Sequence, residues 1–204
     1  MQLQKLFLFS LCCFLAGPLL AIEENEIPEK QRTQYGLYLP PQEAFNLKQK
    51  LGDDILFVDV RSRPELKFIG APGLIDANIP SRFINTDFTW SDNAETYRTL
   101  KNRHFIADFE KLLEAKHKTR KTPIILVCQS GSRVPAATNE LYEAGFDQVY
   151  SLYQGFEGIK AKTGINKGQR VINGWKNAGL PWSYKLDKQA MYFNFDSTSA
   201  KASD

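Results

Sequence analysis

The chain has 204 residues, of which 43% are hydrophobic and 24% are charged. This length suits one domain, and the composition is that of an ordinary globular protein, which argues against a wholly disordered, collagen-like or polytopic membrane protein. The formal net charge is only +3, with two histidines and three cysteines, so the sequence gives no support to nucleic-acid binding and nearly excludes a Cys/His zinc site. We expect no metal and no cofactor.

The first 21 residues show the order of features that is typical of a secretory signal peptide. Lys5 precedes an apolar run from Leu6 to about Leu15, a Gly-Pro pair breaks the run, and the small residue Ala21 precedes the first acidic residues. The run is shorter than the ~20 apolar residues that a spanning helix needs, so we expect cleavage after Ala21 and no stable membrane span. The protein is then exported, into the periplasm if its source is bacterial.

Cleavage would leave Cys128 as the single cysteine of the mature chain, because Cys12 and Cys13 lie within the signal. No internal disulfide could then form. A lone thiol in an oxidising compartment is buried and inert, paired with another chain, or reactive.

After the signal, apolar runs that are typical of strands alternate with stretches of helical spacing. The expected strands are 35–39, 55–60, 74–79, 123–127 and 148–152. The expected helices are 40–51, one that contains Phe105, Phe109 and Leu113, then 134–144 and 171–178. The stretch between the second strand and residue 74 is predicted as a loop. Strands that alternate with helices predict a parallel sheet covered on both faces.

This pattern divides the chain into four parts: a signal peptide (1–21), a loose lead-in segment (22–34), one domain (35–186) and a polar C-terminal tail (187–204).

The segment that joins the most apolar strand to the next helix carries the chemistry, since ligands of such sheets bind past the carboxyl ends of the strands. It runs from Cys128 to Arg133. Gly131 permits the positive φ of a tight curl, consecutive peptide N–H groups can turn inward, and the helix N-terminus adds a partial positive charge. The segment therefore predicts a small anion cradle around the sulfur of Cys128, in which Arg133 and the helix favour the thiolate.

A thiolate in such a cradle can attack a sulfane sulfur and hold it as a persulfide, or attack phosphorus and hold a phosphoryl group. Cys128 to Arg133 spans only six residues, and a phosphate needs a wider ring of donors, so sulfur is favoured. Three alternatives stay open. The first is a carrier or anion-binding module that delivers sulfur to a partner protein without useful turnover. The others are a Cys-dependent phosphatase or arsenate reductase, and an inert thiol in a structural domain.

The loop CQSGSR resembles the Cys-x-x-Gly-x-Arg active-site loop of single-domain rhodanese-like sulfurtransferases, whereas related phosphatases use a loop one residue longer. Other segments are similar to that family over roughly 35–185: FVDVRSRPE (57–65), GLIDANIP (73–80), VYSLYQGFEG (149–158) and NGWKNAGLPW (173–182). The resemblance implies an α/β, three-layer fold with a central, mainly parallel sheet of about five strands flanked by helices. Together with the signal-like residues 1–21, it implies an exported sulfurtransferase that moves sulfane sulfur from a donor such as thiosulfate to a thiophilic acceptor through a persulfide on Cys128.

The roles that follow from the resemblance are specific. Cys128 is the nucleophile and sulfur carrier. Asp59 and Arg61, at the end of the neighbouring strand, brace the loop, and the Arg133 side chain holds loop and anion. The outer persulfide sulfur or the donor oxygens are bound by the backbone N–H groups of Gln129, Ser130, Gly131, Ser132 and Arg133. The expected partners are a small sulfur-containing anion or thiol and an acceptor protein, and no nucleic acid.

Three positions depart from the family's pattern. Leu74 stands where a His is often found, Asp76 replaces a small Gly, and Gln129 occupies a position that is often Arg. With less positive charge around the loop, the doubly charged thiosulfate is attracted less strongly, which makes thiosulfate doubtful as the natural donor. The stretches 81–100 and 159–172 are predicted to be insertions beside the family core.

Overall fold

The structure is a computed structural model that describes residues 22, 24–85 and 89–193. The predicted signal peptide 1–21 and the end of the predicted tail lie outside these residues. Within the described part of the chain, no helix is both long enough and apolar enough to cross a membrane.

Five parallel strands of the described residues form the central sheet. The strands are β1 (Tyr38–Leu39), β2 (Leu56–Asp59), β3 (Ala77–Asn78), β4 (Ile124–Val127) and β5 (Val149–Leu152). Their order across the sheet is β1-β5-β4-β2-β3, which places β4 at the centre. Because all five strands are parallel, their carboxyl ends lie along one edge of the sheet.

Helices cover both faces of this sheet. The four α-helices of the described residues are α1 (Pro41–Leu51), α2 (Arg63–Ile69), α3 (Phe105–Ala115) and α4 (Val134–Glu143). Along each strand, side chains alternate between the faces. Val58 and Leu126 belong to the apolar cluster of α3 and α4, whereas Phe57 and Ile125 belong to the cluster of α1 and Trp175 on the other face. The predicted three-layer α/β fold is confirmed.

Helix α2 occupies part of the stretch that was predicted as a loop. It begins with the capping-box pair Ser62 and Glu65. The Ser62 N–H donates to Glu65 Oε2 at 2.9 Å, as a capping box requires, and the Ser62 hydroxyl also donates to this oxygen, at 2.8 Å. Pro64 lies in the first turn, where its missing N–H costs nothing. The Ser-x-x-Glu spacing was a usable signal for the start of a helix, but seven residues are too few to show a helical stripe.

The predicted helix 171–178 is wrong. Arg170–Ile172 is a strand that pairs antiparallel with Ile159–Lys160. Asn173 follows with φ 50°, in the left-handed region, so no α-helix can run through this position. Bends and turns without an α-helix complete the stretch.

The two predicted insertions contain short antiparallel strand pairs. In the first, Arg82–Ile84 pairs with Thr99–Lys101 and Trp90–Ser91 pairs with Thr96–Tyr97. The second contains the pair that ends at Ile172. Another such pair joins Ala71–Pro72 to Trp182–Ser183, and short 3-10 turns lie at Glu24–Glu26, Glu29–Gln31, Gly52–Asp54 and Lys188–Ala190.

The segments on either side of the domain pack against it. In the lead-in, which we expected to be loose, Ile27 is buried. In the tail, Tyr192 is buried and its hydroxyl donates to Asp108 at 2.8 Å. Residues 24–34 and 187–193 therefore extend the folded body beyond 35–186.

Candidate active site

Cys128 lies directly after β4, at the carboxyl edge of the sheet, and is the first residue of the loop that leads to α4. It is 0% exposed and belongs to the apolar cluster between the sheet and helices α3 and α4. A reactant therefore reaches its sulfur only when the groups that cover it move. Cys128 is a free cysteine in the described part of the chain.

The first carbonyl groups of the loop are tied to the turn that follows β5. Cys128 O accepts a hydrogen bond from the N–H of Phe156, and Gln129 O accepts one from the N–H of Glu157, both at 2.8 Å. In a trans peptide the N–H points away from the C=O. These bonds therefore turn the N–H groups of Gln129 and Ser130 away from that turn.

No peptide N–H from Gln129 to Ser132 donates a hydrogen bond to another group among the described residues. Successive N–H groups with no acceptor in the protein are what an anion cradle requires. The four residues that follow the buried Cys128 thus carry a row of unused donors.

Two glycines allow the loop and the turn to touch backbone to backbone. Gly131 has φ +82°, and a Cβ built there would lie 1.7 Å from Tyr153 O. Gly155 has φ +67°, and its Cβ would lie 2.6 Å from the nitrogens of Ser130 and Gly131. Neither position accepts a side chain unless the backbone moves.

The Arg133 side chain forms a bidentate ion pair with Glu65 in the first turn of α2. The Nη1–Oε2 distance is 2.9 Å and the Nη2–Oε1 distance is 2.5 Å. For both Arg133 and Glu65, burial is the largest single influence on the pKa, and it disfavours the charged form. The bond to Glu65 and the nearby Cys128 nevertheless raise the pKa of Arg133, and the bonds from Arg133 and Ser62 lower that of Glu65. Arg133 therefore fastens the loop to α2 as a charged pair.

Asp59 and Arg61 form a fully buried ion pair, with Asp59 Oδ2 and Arg61 Nη2 2.6 Å apart. Arg61 Nη2 also donates to Gly70 O at 2.9 Å. The guanidinium carbon lies 4.2 Å from the centre of the Phe156 ring, and Phe156 is the residue whose N–H holds Cys128 O. Within the described residues, the pair reaches the loop through this ring and not by a direct hydrogen bond.

The other side chains of the loop are polar and uncharged. Gln129 Nε2 donates to Glu157 Oε2 at 2.8 Å. Ser130 Oγ and Ser132 Oγ lie 3.3 Å apart. Where the family often has Arg, this protein thus has an amide paired with a carboxylate.

Four residues that hold the loop have no role that the sequence alone predicts. Glu65 lay within the quoted motif and in a capping-box spacing, but nothing paired it with Arg133. Phe156 and Glu157 hold the loop through their backbone N–H groups, a role that any residue type except proline could fill. Gln31, in the lead-in, donates from Nε2 to Tyr153 O at 3.1 Å and to Ser130 O at 3.4 Å.

The Rhodanese-like domain family matches residues 43–162, which include the whole loop from Cys128 to Arg133. The chain belongs to the rhodanese-like family. This family is of the sulfurtransferase type. The matched range begins inside α1, so the lead-in segment with Gln31 lies outside it.

This rhodanese-like protein is also similar to individual proteins and solved structures. It is 28% identical over 134 residues to the protein RP600 of Rickettsia prowazekii (strain Madrid E). The matched region covers 66% of this chain and 87% of that relative. Among solved structures, Rv0390 from M. tuberculosis matches with a TM-score of 0.55 and 25% identity, over 74% of this chain and 100% of that one. The polysulfide-sulfur transferase homodimer from Wolinella succinogenes matches with a TM-score of 0.38 and 24% identity, over 72% of this chain and 77% of that one.

Proposed function

We propose that this rhodanese-like protein is an exported sulfurtransferase that passes sulfane sulfur through a persulfide on Cys128. The observation that carries the proposal is the row of peptide N–H groups, Gln129 to Ser132, that follows Cys128 in the loop and has no acceptor among the described residues. A persulfide places its negative charge on the outer sulfur, and unused N–H donors stabilise such a charge without having to reorganise. Export is argued from the signal-like residues 1–21, which lie outside the described residues.

The proposed cycle has two displacements at sulfur. The thiolate of Cys128 attacks the outer sulfur of a sulfane donor, forming the new S–S bond as the donor's own bond to that sulfur breaks. The leaving group departs with the electron pair, as sulfite when thiosulfate is the donor. A thiophilic acceptor then attacks the outer persulfide sulfur and restores the thiolate. No general base is needed once the thiol is ionised.

The charges of the side chains around the loop from Cys128 to Arg133 influence which sulfur donor is preferred. Gln129 is paired with Glu157, and Arg133 is paired with Glu65 through both of its terminal nitrogens. A doubly charged donor therefore meets little uncompensated positive charge at the loop. We propose that a sulfane donor of lower charge, such as a persulfide of a small thiol, is preferred to thiosulfate.

A second candidate function is favoured by the complete burial of Cys128. In this alternative the protein is a sulfur carrier that is loaded slowly and discharges only to a partner protein that opens the loop. A small acceptor would then be used poorly, although the persulfide would form.

The test is intact mass spectrometry of the purified protein after incubation with thiosulfate or with a small-thiol persulfide. We expect a gain of one sulfur atom, absent in Cys128→Ala, and release of thiocyanate when cyanide is added. A clean persulfide without thiocyanate would favour the carrier. The absence of an adduct with every sulfane donor would defeat both functions, and hydrolysis of an aryl phosphate would revive the phosphatase alternative.

A further inference from the structure

We propose that Gln31 is a positioning residue that sets the direction of the third peptide of the loop, so that the Gly131 N–H faces the sulfur of Cys128. The proposal rests on the proposed function for its purpose, because it assigns Gln31 to the stabilisation of the same anionic sulfur. Its geometry is independent of which donor or acceptor is used.

Gln31 bridges the loop and the turn after β5. Its Nε2 lies 3.1 Å from Tyr153 O and 3.4 Å from Ser130 O. A primary amide carries two N–H donors, which matches the two carbonyl groups that it meets. A Cβ at Gly131 would lie 2.7 Å from this Nε2, which places the amide directly against Gly131.

Three successive carbonyl groups of the loop are thus held, but by different kinds of donor. Those of Cys128 and Gln129 are held by backbone N–H groups of the turn. The third, Ser130 O, is held among the described residues only by the Gln31 side chain. The direction of the Ser130–Gly131 peptide therefore depends on a side chain that a substitution can remove.

This peptide is also the one that can most easily turn over, because it adjoins a glycine. Gly131 has access to both signs of φ, so rotation of the peptide is not blocked by a Cβ. A rotated peptide would present the Ser130 carbonyl where the Gly131 N–H had been. An acceptor would then replace a donor beside a sulfur that must carry negative charge, which opposes both thiolate and persulfide.

The lead-in segment is held in place without the Gln31 side chain. The Gln34 N–H donates to Asn139 Oδ1 of α4 at 2.9 Å, the Thr33 N–H donates to Tyr38 Oη at 2.7 Å, and the Tyr35 hydroxyl donates to Phe146 O. Ile27 is 1% exposed. A change confined to the Gln31 side chain should therefore leave the segment docked.

The experiment compares Gln31→Met with Gln34→Met in the full chain. Methionine matches glutamine in length and has no charge and no N–H donor. Gln34 lies in the same segment, its side chain is exposed, and its hydrogen bond to Asn139 is made by the backbone N–H. The readout is the rate of alkylation of Cys128 by iodoacetamide as a function of pH, beside the thermal unfolding midpoint.

For Gln31→Met we expect the pH midpoint of alkylation to rise by about one unit, a tenfold loss of thiolate, as for the loss of one hydrogen bond to a charged group. Persulfide formation at neutral pH should fall by about tenfold with it, while Gln34→Met follows the wild type in both. Gln31→Asn, which keeps the amide but is one methylene too short to bridge, should repeat the shift if Gln31→Met is poorly folded.

The proposal is overturned if both Gln31 variants alkylate with the wild-type pH midpoint, or if Gln34→Met shifts it equally. Alkylation needs no sulfur donor, so this result stands apart from the fate of the proposed function. A wild-type protein that forms no persulfide would defeat the sulfurtransferase and still leave the Gln31 shift to be measured.

Discussion

Substitution of Gly131 by alanine tests the close backbone contact on which the loop is built. Alanine at φ +82° costs about 1–2 kcal/mol of conformational energy. The added Cβ would lie 1.7 Å from Tyr153 O and 2.5 Å from the carbon of the same carbonyl. Because both atoms belong to the backbone, the loop or the turn after β5 must move, for a total of roughly 2–4 kcal/mol.

That movement should affect chemistry as well as stability, since it separates the peptides that line the cradle. We expect Gly131→Ala to fold, to lose about 2–4 kcal/mol in urea unfolding, and to form persulfide about a hundredfold more slowly, as when one oxyanion donor is lost. Gly168→Ala is the matched control, because Gly168 has φ +86° with nothing within 4 Å of its Cβ position. Equal unfolding energies and wild-type persulfide formation in both variants would refute the close approach.

The other predictions concern charges and one tyrosine. Glu65→Gln should cost about 1–3 kcal/mol in urea unfolding, because it leaves Arg133 without its counter-charge in a partly exposed site. The lowered pKa of Glu65 means that its stabilisation is present above the ordinary value of 4.5 and is lost as the pH falls through the lowered one. The wild type should therefore lose more stability than Glu65→Gln in acid below pH 4.5, and parallel curves would contradict this. Asp59→Asn should cost about 3–5 kcal/mol, because it leaves the buried Arg61 charge unpaired; a loss below 1 kcal/mol by the same assay would show that the pair is dispensable. Burial is the main cause that raises the pKa of Tyr35 to about 12. In a pH titration followed by tyrosinate absorbance, Tyr35→Phe should therefore lack a step near pH 12 that the wild type shows. Identical titration curves would show that Tyr35 ionises at another pH.

The sequence predicts those parts of the fold in which one face of each element is filled by neighbouring apolar residues. The run from Ile124 to Val127 is buried at every position, and β4 therefore agrees with its prediction within one residue. Phe105, Phe109 and Leu113 lie on one buried face of α3, as their spacing indicates. Helix α2 is missed because it buries little beyond Leu66.

For the site, the sequence predicts the cysteine loop but not what holds it. The loop is local, since six consecutive residues define it, and its relation to a strand and a helix follows from their order. Gln31 and Ser130, in contrast, are 99 residues apart in the chain. Their contact depends on how the lead-in segment packs against α4. No periodicity in residues 24–34 predicts that packing.

The burial of Cys128 also bears on how long the thiol survives. Oxidation of cysteine to sulfenic and higher acids requires access of the oxidant to the sulfur, and this side chain is 0% exposed. If the protein is exported to an oxidising compartment, as proposed above, exposed thiols there are soon capped or bridged, and the closed loop preserves the reduced form of Cys128. Under the proposed function, the event that opens the loop then decides both when the protein takes up sulfur and when its thiol becomes vulnerable to oxidative damage.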